Sequence, residues 1–154
     1  MNTETVITTL VSFHHTITAL TMNHAHDEKI HTMIERARFL STVPKDVIAS
    51  AWLMLESERM NDHTPYTDKK HVRHKIADLL YGWVRIEQRH YHISLREVVE
   101  GQRIWWSAIP LKVANVVETY TIPPSDDEED RDILGMDRPR IGMVCLVILD
   151  LEPR

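Results

Sequence analysis

The chemistry on offer in this chain is dominated by imidazole. Ten histidines occur in 154 residues: His14, His15, His24, His26, His31, His63, His71, His74, His90 and His92. A neutral imidazole is a metal ligand, and it is the side chain that exchanges a proton most readily near neutral pH. His71, His74 and Asp78 are spaced i, i+3 and i+7, which on a helix is one stripe. Such a stripe can hold a metal ion, and it is equally what the solvated face of an amphipathic helix displays. The single cysteine, Cys145, excludes an internal disulfide and a cysteine-rich zinc site, which suits a reducing cytosol.

These side chains need elements to position them, and apolar spacing predicts five helices between residues 5 and 106. Val6, Leu10, Phe13, Ile17 and Leu20 form a helical stripe, with a strand over Thr5 to Phe13 as the alternative because the segment is rich in β-branched residues. Asp27 and Glu28 open a second helix with its face at Ile30, Met33, Ile34, Ala37 and Leu40, ending near Ser41. Pro44 starts a third, through Val47, Ile48, Ala51, Trp52 and Leu55 to about Met60. After a polar loop at 61–67, a fourth over 68–89 buries Val72, Ile76, Leu79, Leu80, Trp83 and Ile86. Ser94 with Glu97 reads as a capping box opening a fifth helix to about Trp106, where Trp105 and Trp106 close the core.

Past Pro110 the pattern turns to β-branched runs, predicting strands at 113–122 and 141–151. The expected class is α+β: one domain over 1–154, a helical part over 1–109 and a β part over 110–154. Between the strands, residues 123–140 carry five consecutive acids, Asp126 to Asp130, and read as an exposed loop. The last strand is apolar at nearly every position, so both its faces should be covered. Two strands alone are marginal, so a third strand or a partner chain is expected, with self-association or protein pairing through the last strand.

A net charge of -5 and scattered Lys and Arg argue against gripping a nucleic-acid backbone. No apolar run is long enough for a membrane span, and the N-terminus lacks the order of a signal peptide. A cytoplasmic protein is the expectation.

Three motifs resemble known families. His24-Ala-His26-Asp27 is similar to half of the HxHxDH metallohydrolase signature, without its last aspartate and histidine. His14-x-Thr16 and His92-x-Ser94 resemble the paired HxT/S elements that 2H phosphoesterases place on facing strands as acid and base. The longest resemblance spans Ile76 to Glu100, where Asp78-Leu79-Leu80 and Ile93 to Val99 look like the second half of the MazG-type nucleoside triphosphate pyrophosphohydrolases. Val11 to His14 is similar to an FH element near the start of some members.

That resemblance implies helices bearing ExxE and ExxD, whose carboxylates at i and i+3 converge on Mg²⁺ bound to a triphosphate. The best placement is Glu58 to Asn61 on the third helix and Lys75 to Asp78 on the fourth. Glu58, Asn61 and Asp78 are then the implied metal ligands, with Glu58 and Asp78 as the catalytic carboxylates. Asn61 and Lys75 stand where the family has acids, which weakens the hold on a hard cation. Lys75, with His74, can meet a phosphate directly. The implied functions are a diverged MazG-like protein that binds a nucleotide or another phosphate-containing ligand, with metal-dependent hydrolysis if it is an enzyme, or a non-catalytic interaction protein on the same frame.

Overall fold

A computed structural model of the protein describes residues 2–60, 80, 82–106, 109–122 and 143–151. Within them are three helices, α1 (Thr3–Met22), α2 (His26–Thr42) and α3 (Lys45–Met60), and five strands, β1 (Trp83–Ile86), β2 (Arg89–Ser94), β3 (Arg103–Trp106), β4 (Ile109–Thr121) and β5 (Met143–Leu151). All strand pairs are antiparallel, in the order β1-β2-β5-β4-β3.

The first three helices form where apolar spacing places them. Asn2 caps α1 by accepting a hydrogen bond from the Thr5 amide at 2.8 Å, satisfying one of the donors that a helix start leaves open. Val6, Leu10 and Ile17 are buried, so the helical period wins over the β-branched composition. The Pro44 carbonyl accepts from the amides of Val47 and Ile48 and starts α3. On α2 the face is rolled from its expected position. Lys29, Thr32, Met33, Arg36, Ala37 and Leu40 are buried, while Ile30 and Ile34 are only half so.

The five-helix bundle is corrected by the second half of the chain. The expected fourth helix ends in β1, and β2 and β3 occupy the ends of the expected fifth. Residues 68–79 and 81 lie outside the described residues. Short apolar runs fit periods of 2 and 3.6 alike, and here hairpin pairing decides. Val84, Ile86, Tyr91 and Ile93 alternate onto the helix side of the sheet, where they join the main core. Glu87, at φ 58, makes the two-residue turn with Gln88, the positive φ matching the twist of a tight hairpin.

The capping box is corrected as well. The Ser94 hydroxyl accepts from the Arg96 amide at 3.2 Å, a local turn that ends β2 rather than starting a helix. Trp105 and Trp106 belong to β3, opposite Pro110 and Ile109; their side chains are outside those described. The sheet therefore draws on residues on both sides of position 110.

Beyond Pro110 the two predicted strands are present as β4 and β5. β5 is the centre of the sheet, hydrogen-bonded to β2 on one edge and β4 on the other. Its apolar run covers two cores at once: Val144 and Leu146 face the helices, and Cys145, Val147 and Leu149 face a second cluster with Val98, Leu111 and Val113. Each fully buried side chain of this size contributes about 1.5–3 kcal/mol. The third strand that two strands alone call for is supplied by the chain itself. No helix among the described residues is long and apolar enough to cross a membrane, and the acidic run 126–130 lies outside the described residues.

Candidate anion-binding site

Lys29, Thr32 and Arg36 are spaced i, i+3 and i+7 on the buried face of α2, interleaved with Met33, Ala37 and Leu40. Among the described residues Arg36 is the largest fully buried side chain, 1% exposed. Its guanidinium lies against the backbone of Gly82, where the chain enters β1. Gly82 has φ +67, and a Cβ there would collide with the guanidinium. Two constraints thus fall on one residue, a left-handed backbone and the close approach of a charged group.

Arg36 reaches a cleft of about 300 Å³ between α1, α2 and the edge strand β1. Helix α1 lines it with His14, Ile17, Thr18 and Thr21, one face at i, i+3, i+4 and i+7. Strand β1 lines it with Trp83, Val84 and Arg85. Among the described residues the lining holds two guanidinium groups, one imidazole and two hydroxyls, and no carboxylate. The Thr18 hydroxyl donates to the His14 carbonyl at 2.9 Å and the Thr21 hydroxyl to the Ile17 carbonyl at 2.8 Å. Their protons are committed to the helix, and the oxygen lone pairs are the groups they can offer a ligand.

Two imidazoles stand behind the cleft on β2. His92 is 5% exposed, and its pKa is lowered to about 4. Burial is the main cause, the Arg36 charge adds to it, and a hydrogen bond to the Gly82 carbonyl opposes it. The pKa of His90 is also lowered, by burial and by Arg85, against a smaller opposing effect of Asp150. Its ring packs at a tilt of 37° against Trp83 with centroids 5.3 Å apart, and its Nδ1 is buried with no hydrogen-bond partner among the described residues. Both imidazoles are neutral at physiological pH, so the fixed positive charge of the region resides on the arginines.

The motif histidines are dispersed. His14 and Thr16 sit on α1, where the Thr16 hydroxyl donates to the Ser12 carbonyl, while His92 and Ser94 sit on β2. One HxT/S element is thus helical and only the other is on a strand. His24 is in the turn after α1, and His26 Nε2 lies 3.2 Å from Asp27 Oδ1 and 3.6 Å from Glu87 Oε1, bridging α2 to the β1-β2 turn.

Of the residues implied as metal ligands, Glu58 is on α3 with its side chain outside those described, and Asn61, His71, His74, Lys75 and Asp78 lie outside the described residues. Among the described residues no group of three or more His, Cys, Asp or Glu is placed to hold a metal ion.

Arg36, Gly82, Trp83 and Arg85 carried no functional reading in the sequence. The available signal was a polar i, i+3, i+7 series in register with an apolar stripe, which a helix with a solvated polar face would not show. No family model, curated protein or solved structure matches the chain.

Proposed function

We propose that this protein binds a small phosphate-containing ligand, nucleotides included, in the cleft between α1, α2 and β1. The observation that carries this reading is the lining itself: Arg36 and Arg85 arrive from different elements with His14, and no lining residue among those described is acidic. Guanidinium is the side chain best matched to phosphate, because its planar fork donates two parallel hydrogen bonds to two oxygens. Burial holds the Arg36 stem in place before any ligand arrives, so less conformational entropy is lost on binding. A volume of about 300 Å³ is at the low end of the roughly 300–1,000 Å³ range of small-molecule sites.

Hydrolysis of such a ligand would draw on the residues that the MazG-type resemblance implies, Glu58, Asn61 and Asp78 around Mg²⁺ with His74 and Lys75 on phosphate. The described lining residues support binding. Calorimetric titration with inorganic phosphate and pyrophosphate, without divalent cations, tests the reading. Arg85 is exposed, so Arg85→Gln removes the charge without disturbing the core. Saturable binding that weakens at least about tenfold in the variant is expected, the effect of losing one charged hydrogen bond. Absence of binding to the wild-type protein, or equal affinity in the variant, would overturn it.

A further inference from the structure

We infer that the phosphate-containing ligand of this cleft is a phosphorylated side chain on an extended peptide segment of a partner protein, which pairs with β1 as a further strand. This rests on the phosphate-binding reading above and is carried by the main chain of the sheet edge.

β1 is an end strand of the sheet, with β2 as its neighbour. Three of its consecutive residues, Trp83, Val84 and Arg85, line the cleft. Successive side chains of a strand point to opposite faces, so a space that meets all three runs along the strand edge, where main-chain groups are presented. The hydrogen-bond alternation says which groups these are. The Ile93 amide donates to the Gly82 carbonyl at 3.0 Å, and the register then places Gly82, Val84 and Ile86 in the pairs bonded to β2. Residues 83 and 85 fall in the intervening pairs, so their N–H and C=O groups turn outward to the cleft. The Arg85 main chain makes no hydrogen bond among the described residues. An outward donor and acceptor of this kind are the template on which another extended chain pairs.

The chemistry of the segment follows from the side chain at the same position. In antiparallel pairing, the segment's residue opposite Arg85 exchanges both main-chain hydrogen bonds with it, and its side chain stands on the same face with Cβ atoms about 4.5–5.5 Å apart. A phosphorylated side chain there lies beside the Arg85 guanidinium, which is exposed and in no ion pair among the described residues. Charge-assisted hydrogen bonds to the phosphate oxygens then add to the two main-chain bonds. Helix α1 forms the facing wall with His14 and Ile17, so the segment lies in a slot between helix and strand. Free phosphate offers no main chain to this edge.

The full-length protein, free of divalent cations, is titrated calorimetrically with inorganic phosphate, O-phospho-L-serine and a five-residue peptide that has blocked ends, phosphoserine at its centre and valine and threonine on either side. The unphosphorylated peptide, and the phosphopeptide methylated on the phosphoserine amide nitrogen, are compared with it. Exchange of the Arg85 amide proton is followed by nuclear magnetic resonance, and light scattering gives the oligomeric state. The phosphopeptide is expected to bind at least about tenfold more tightly than O-phospho-L-serine, the scale of one to two net hydrogen bonds. At saturation it should slow Arg85 amide exchange at least about tenfold. Methylation should remove the gain over O-phospho-L-serine, and omission of the phosphate should weaken the peptide at least about tenfold. Where O-phospho-L-serine or inorganic phosphate binds, the phosphate reading stands, and any of four results overturns the inference alone: a phosphopeptide no tighter than O-phospho-L-serine, equal affinity of the methylated or the unphosphorylated peptide, unchanged Arg85 exchange at saturation, or an Arg85 amide already protected in the free protein. In that last case a dimer by light scattering identifies a second copy of the chain as the occupant of the edge. If neither inorganic phosphate nor any ester binds, both fail together.

Discussion

Replacing His92 by glutamine should flatten the acid side of the protein's stability profile. His92 is 5% exposed, and its pKa is lowered from 6.5 to about 4 by burial first and by the Arg36 charge second. Above pH 6.5 the imidazole is neutral in both folded and unfolded chains, and the stability is fully present. As pH falls from 6.5 towards 4 the unfolded chain takes up a proton that the folded chain refuses, so stability is lost; below 4 both forms are protonated and the loss levels off. At about 1.4 kcal/mol per pKa unit, the shift corresponds to about 3 kcal/mol. That is a large share of the roughly 5–15 kcal/mol by which domains are folded. Glutamine is close in size, can still donate to the Gly82 carbonyl and does not titrate. Urea unfolding followed by far-ultraviolet circular dichroism, from pH 7.5 to 3.5, measures the difference between wild type and His92→Gln. The wild type should lose about 3 kcal/mol more than the variant across this window, while His90 and the carboxylates contribute equally to both. Parallel losses in the two proteins, or an imidazole titration midpoint for His92 near 6.5 by nuclear magnetic resonance, would refute the reasoning.

Two further outcomes follow from the same packing. Gly82→Ala puts a methyl group onto the Arg36 guanidinium at a left-handed backbone position; it should destabilise the protein by more than the roughly 1–2 kcal/mol of the backbone alone and weaken phosphate binding, checked by urea unfolding and calorimetry. Leu146→Ala, in the central strand and fully buried, should cost about 2–5 kcal/mol in the same unfolding assay, whereas Val117→Ala, on an exposed position of β4, should cost under about 0.5 kcal/mol.

Some of the molecule is legible in its residues and some is not. The stripe from Val6 to Ile17 specifies α1 because its period holds over several turns, and the apolar run from Met143 to Leu151 specifies a strand covered on both faces. The segment from Trp83 to Trp106 is ambiguous locally. Trp83, Val84 and Ile86 fit either period, and the Ser94 hydroxyl satisfies a backbone donor in a turn as readily as it would at a helix start. What decides is long-range: β2 exists because β5, more than fifty positions later in the chain, pairs with it from His90 to Ser94. The site was hidden for a related reason. A charged residue on an amphipathic helix is ordinarily assigned to solvent, and only the arrival of Gly82 with its missing side chain makes room for the Arg36 guanidinium inside.

The most direct test of the central claim is a residue-resolved map of where a phosphate ester binds. Backbone amide and arginine Nε–Hε resonances would be followed by nuclear magnetic resonance while adenosine 5′-monophosphate is added to the protein without divalent cations. Saturable shifts at the Arg36 and Arg85 side chains, at Gly82 and Trp83, and along the His14 to Thr21 face of α1 are predicted. Unchanged spectra at millimolar ligand, or shifts confined to residues away from this cleft, would contradict it.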